Sequence, residues 1–181
     1  MKKHEKIMTP EMIRDKFSPC RDPLTFVPAG WSGTVVDALT DPNIGGKPRD
    51  RIWGAIKCDL VEDTALRKFA IYCAKRSVYY AKIEAAEDIT LTERPTRKAD
   101  RKKRHDEINA SLQVIGMTKL EHNCRAAIAS ALLPDASDAA WRAYIQLLQA
   151  AREIDFDTMK DEEHRCVKVM LALVREDIAN G

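Results

Sequence analysis

The clearest pattern in the chain begins near Asp63, where Leu66, Phe69, Ala70, Cys73 and Ala74 recur at i, i+3, i+4, i+7 and i+8. That spacing lays one apolar stripe along a helix, whereas a half-buried strand would alternate with period two. Tyr80, Ile83 and Glu87 carry the same element onward. Upstream, Thr9-Pro10-Glu11 combines a capping hydroxyl, proline at the first helical position and an acid in the first turn, so a short helix is predicted there. It should end before Ser18-Pro19. Residues 18–33 hold three prolines and two glycines and read as an ordered loop anchored by Phe26 and Trp31. Ser32 is predicted to cap a brief helix carrying Val35, Val36 and Leu39. After the turn-rich stretch 41–48, Pro48 suits the start of a helix presenting Ile52, Trp53 and Ile56.

In the second half of the chain a helix could resume after Pro95, with Arg97, Arg101 and Arg104 followed by Ile108, Leu112 and Ile115 at the same spacing. Thr118 and Glu121 form a capping-box pair. They open a helix expected to turn Cys124, Ala127, Ile128, Ala131 and Leu132 inward. Pro134 to Ser137 closes it and caps the next, whose expected inner face is Trp141, Ile145, Leu148 and Ala151. A last helix starting at Asp157 or Thr158 carries Cys166, Val169, Met170, Leu173 and Val174. Seven or eight helices and no convincing strand predict an all-α fold, a single multi-helix domain arranged as a bundle or short array. Its expected organisation is a loop-rich N-terminal wrap over 1–47 and a helical domain over 48–181.

Composition agrees with a packed core. The chain has 181 residues, 45% hydrophobic and 32% charged, and needs neither disulfides nor metals to stabilise a fold of that size. No run of about 18 apolar residues occurs, so no membrane partner is expected. Five cysteines, at 20, 58, 73, 124 and 166, are odd in number and form no CxxC pair. They read as buried thiols of a cytoplasmic protein.

Charge changes the picture at one place. From Arg94 to Arg104 the chain carries Arg94, Arg97, Lys98, Arg101, Lys102, Lys103 and Arg104 against Asp100 alone, a formal charge of +6. The whole chain is +2, which leaves −4 for the rest. A mildly acidic body with one cationic segment is built to attract an acidic protein surface or the phosphates of a nucleic acid. No aromatic residue interleaves the cations, so base stacking has no platform there. These seven residues are the candidate site for a partner or for nucleic acid. A second cluster, Glu153, Asp155, Asp157, Asp161, Glu162 and Glu163 against Lys160, sums to −5 and could face the basic segment.

Other chemistry finds little support. Asp155 to Asp161 lacks the turn glycine and closing glutamate of a calcium loop. His122 with Cys124 and His164 with Cys166 offer zinc-ligand types within an internal echo, Glu-His-x-Cys, 42 residues apart. Residues i and i+2 on a helix point about 200° apart, which keeps both members of a pair from one ion. Gly45-Gly46-Lys47 lacks the rest of a phosphate-loop motif. No metal, no cofactor and no catalytic residue is expected, and the sequence leaves the oligomeric state open.

Arg49-Asp-Arg-Ile-Trp53 and Leu66-Arg-Lys-Phe-Ala-Ile-Tyr-Cys-Ala74 resemble the helical N-terminal part of bacterial immunity-type proteins, over about residues 48–76. Asp138-Ala-Ala-Trp-Arg-Ala143 is similar to their later Ala/Trp-rich repeats. The resemblance implies an all-helical, non-enzymatic binding protein and assigns no functional residue. The expectation is therefore a protein-interaction module, an inhibitor or immunity-like factor of bacterial or phage origin. The alternative is a nucleic-acid-binding accessory protein using residues 94–104.

Overall fold

A computed structural model describes residues 2–17, 22–87 and 119–180. These residues form seven α-helices: α1 Pro10–Phe17, α2 Val35–Thr40, α3 Pro48–Lys57, α4 Asp63–Glu87, α5 Lys119–Ala131, α6 Ala136–Ile154 and α7 Phe156–Asn180. Two short 3-10 turns, Lys3–Glu5 and Pro23–Thr25, precede α1 and α2 respectively. The only β feature among them is an isolated bridge between Met8 and Gly33. The all-α expectation holds.

Local chemistry sets the helix ends. The Met12 amide donates to Thr9 Oγ1 at 3.3 Å, as the Thr-Pro-Glu start predicts. Lys47 donates its amide to Asp50 at 2.9 Å, with Pro48 at the first helical position of α3. Asp135 accepts the Asp138 amide at 2.6 Å and caps α6. Two starts differ from the sequence reading. Thr34, not Ser32, caps α2: its hydroxyl accepts the Asp37 amide while Asp37 accepts the Thr34 amide at 2.7 Å, a reciprocal pair unavailable to Ser32. Asp155 opens α7 by accepting the Thr158 amide at 2.6 Å, so the helix begins before Asp157.

The long helices α4, α5, α6 and α7 make the bundle, with α6 against the other three and α3 laid on α6 and α7. Helices α4 and α7 run antiparallel. Thr64 bonds Asp177 at 3.0 Å and Lys68 bonds Glu176 at 2.5 Å at one end, while Arg76 reaches Glu162 at the other. The core joins Ile52 and Ile56 of α3, Leu66 and Phe69 of α4, Tyr144 and Leu147 of α6, and Met170 and Val174 of α7. Met8, Val35 and Leu39 from the N-terminal part belong to the same core. That part is also tied down by charge. Asp59, in the left-handed region at φ 55° between α3 and α4, is gripped by Lys3 at 2.8 Å and Lys6 at 2.5 Å.

Two expected faces are rotated. On α5, Cys124 and Ala127 are buried, but Ile128 is 44% and Leu132 80% exposed. The helix meets α4 and α6 along Asn123, Cys124 and Ala127, and Leu132 falls in the turn beyond its end. On α6, Leu148 and Ala151 are buried as expected, but the rest of the buried face runs through Ala136, Ala140, Ala143, Tyr144 and Leu147, which leaves Trp141 and Ile145 half-exposed to one side. Small residues let α6 approach three neighbours closely, and the bulky Trp141 goes where space remains.

Candidate functional site

The space beside Trp141 is a cleft of about 260 Å³. Three stretches far apart in sequence build it. Helix α3 supplies Arg49, Asp50, Trp53 and Gly54; α6 supplies Trp141 and Ile145; and the N-terminal part closes it with Ile13, Pro23, Phe26 and Val27. Each wall has local support. Trp141 leans on Tyr144 with ring centroids 5.8 Å apart, and Tyr144 leans on Phe69 at 6.0 Å, so the wall is continuous with the core. Phe26 is held by the Gly45 amide, which donates to its carbonyl at 2.6 Å. Gly46 sits at φ 85°, and a Cβ there would come within 3.0 Å of the Phe26 ring. The glycine pair that superficially suits a phosphate loop instead lets the chain close around an aromatic side chain.

The floor of the cleft is Gly54. It lies inside α3, where glycine costs roughly 1 kcal/mol relative to alanine. A Cβ built there meets nothing within 4 Å, so the residue leaves space that any other side chain would fill. The charged lining is uneven. Asp50 is occupied by capping its own helix, whereas Arg49 has no hydrogen bond or ion pair to a described residue. Beneath it lies Glu163, 6% exposed. Burial pushes its carboxyl above the ordinary range, against the opposing pull of Arg49, Lys47 and His164.

A second group of side chains lies between α4 and α7. Glu162 is 1% exposed and accepts from Tyr72 Oη at 3.1 Å, Arg76 Nε at 3.1 Å and Tyr80 Oη at 2.5 Å. Arg165 Nε stands 3.6 Å away. Burial and the neighbouring carboxylate raise both tyrosine hydroxyls. One turn along, Cys73 and Cys166 are buried in contact, and burial raises the Cys73 thiol. Cys124 donates to the Ser77 carbonyl at 2.9 Å. A carboxylate, two phenols, two guanidiniums and three thiols resemble a catalytic inventory. The carboxylate, Tyr80 and the thiols are buried, Tyr72 and Arg76 are partly so and Arg165 lies at the rim, and the donors converge on Glu162, which is how an internal strut behaves.

The seven candidate residues Arg94, Arg97, Lys98, Arg101, Lys102, Lys103 and Arg104 lie outside the described residues. So do the resumed helix over 96–115, the Thr118 cap and Cys20. The −5 cluster does not form one solvated face: Glu162 and Glu163 are buried, and Asp155 is spent on capping. The two His/Cys pairs divide as helical geometry requires, with His122 and His164 exposed and Cys124 and Cys166 buried. Among the described residues no three His, Cys, Asp or Glu side chains gather as a metal site would need, and no helix is long and apolar enough to cross a membrane. Sequence reasoning did not foresee the cleft. Its one legible trace is Gly54 within a helix that also carries Trp53, an unfavourable residue kept beside a large aromatic one.

Comparison of the chain with family models, with curated proteins and with solved structures finds no match.

Proposed function

We propose that this protein is a non-enzymatic interaction module, an inhibitor or immunity-like factor that acts by covering a protein partner. The observation that carries the reading is the Trp53–Trp141 cleft. At about 260 Å³ it falls below the roughly 300–1,000 Å³ usual for small-molecule sites. It matches one large side chain of the kind that anchors protein interfaces. Its lining offers no serine, cysteine or histidine, and its one carboxylate, Asp50, caps α3. The cationic segment 94–104 would add long-range attraction to an acidic partner and speed encounter more than it strengthens the complex. The four cysteines among the described residues are buried and form no disulfide, which suits a reducing, cytoplasmic setting. The resemblance over residues 48–76 points the same way.

The test is affinity capture from the native host with the wild-type chain and two variants. One is Gly54→Leu, which fills the cleft. The other reverses Arg101, Lys102, Lys103 and Arg104 to Glu. A protein partner retained by the wild type and lost with Gly54→Leu supports the reading; capture indifferent to Gly54→Leu removes it. The +6 segment favours one competing reading, nucleic-acid binding. In that case labelled RNA or DNA binds at low salt, weakens steeply as salt rises, and is released by the charge reversal.

A further inference from the structure

The interaction reading leaves open what kind of side chain the cleft takes, and the lining narrows it. The walls are the rings of Phe26, Trp53 and Trp141, an environment suited to another aromatic ring through edge and offset contacts. The polar lining consists of Arg49 and Asp50, and Asp50 already accepts the Lys47 amide at 2.9 Å. What remains is a single guanidinium at the side of the cleft, with no hydrogen-bonded partner among the described residues. We propose that the cleft recognises an aromatic side chain presented beside a carboxylate on an acidic segment of a partner protein, with Arg49 holding the carboxylate. This rests on the interaction-module reading and gives its partner a chemistry.

Charge and size both favour that occupant. Glu163 stands near Arg49 but is 6% exposed and makes no ion pair with it, so the guanidinium keeps its donors for a ligand. Arg49 meets a carboxylate through paired donors, a contact that also fixes orientation. A nucleobase would fit the rings, but sequence-specific RNA recognition reads base edges through hydrogen bonds. Asp50 is engaged, so the lining offers little to read them. Gly54 keeps the depth needed for a ring: an ideal Cβ there would project into free space, and a leucine would occupy it.

The experiment follows the tryptophan indole N–H signals of the ¹⁵N-labelled full chain by NMR. Trp31 serves as internal reference, because its indole N–H is given to Asp41 at 3.0 Å, away from the cleft. The probes are acetyl-Glu-Phe-Glu-amide, acetyl-Gln-Phe-Gln-amide, 3-phenylpropionate and adenosine monophosphate. The acidic peptide should shift Trp53 and Trp141 but not Trp31, with a dissociation constant on the order of 1 mM, since one anchor supplies only a fraction of an interface. The Gln peptide should bind about threefold more weakly, the usual scale for one exposed charge contact. Arg49→Gln should erase that difference. Gly54→Leu should abolish the shifts while the melting temperature does not fall, which separates a filled cleft from an unfolded chain.

Equal binding of the two peptides overturns the proposal, as does an absence of shifts up to about 10 mM. A 3-phenylpropionate affinity equal to the acidic peptide's assigns the site to a free aromatic acid instead. Tightest binding by adenosine monophosphate assigns it to nucleotides. If the peptides fail while host capture still depends on Gly54, the interaction reading stands and this chemistry falls. If the peptides bind but capture ignores Gly54, the interaction reading falls.

Discussion

The strut around Glu162, between α4 and α7, and the cleft beside Trp141, between α3 and α6, invert the usual association of chemistry with function. The strut gathers a carboxylate, phenols, guanidiniums and thiols, and Glu162 at its centre is 1% exposed. The cleft is lined mainly by rings and aliphatic groups, and it is open. Side-chain reactivity alone does not locate a site. A buried carboxylate is tolerated only when donors satisfy it, so a dense cluster of polar groups is what stability requires around Glu162. An apolar cleft with a glycine floor has no such structural need.

The comparison can be broken most forcefully at the strut. Glu162→Ala should destabilise the fold by about 3 kcal/mol, because the buried Tyr80 and the partly buried Arg76 and Tyr72 would lose their common acceptor. Urea denaturation measures it. A loss below about 1 kcal/mol would mean the cluster is not structural and would reopen it as a functional site.

The cleft should respond in the opposite direction. Gly54→Leu replaces a helix-interior glycine with a strong helix former in empty space, so stability should rise by up to about 1 kcal/mol. Thermal melting checks this. Destabilisation would show that the space above Gly54 is already filled and that no cleft is available there.

The smallest effect concerns Glu163 and depends on pH. Burial raises its folded-state value above the ordinary 4.5, so the folded chain binds more protons than the unfolded chain between the two values. Stability conferred by the neutral acid is therefore present below pH 4.5 and lost as pH rises through the raised value. Glu163→Gln should remove that slope. The variant should equal the wild type in acid and exceed it near neutrality. Equal chemical-denaturation midpoints across the whole range would show that Arg49 and Lys47 offset burial completely.

Much of the fold was legible because it is local. Thr9-Pro10, Pro48 and Asp135 act within one turn of themselves, and the stripe from Leu66 to Ala74 needs only its own period. The orientation of α6 was not legible. Leu148 is buried as its stripe predicts, but Trp141 and Ile145 on that stripe give way to Ala140, Tyr144 and Leu147, and nothing within the helix chooses between them. Likewise Glu162 and Glu163 read as members of an acidic surface, because both are buried by distant helices, and the donors that satisfy Glu162 lie 82 to 90 positions away. The cleft depends on residues from Ile13 to Ile145 and leaves no motif.

Taken by itself, the sequence determined that this chain is helical, where most described helices start, and that one segment carries a concentrated positive charge. Capping, helical period and formal charge act over a few residues and survive without knowledge of the rest. Tertiary structure alone decided which faces turn inward, which acids lose their water and where a cleft remains. Those outcomes depend on how helices from distant parts of the chain compete for the same buried space.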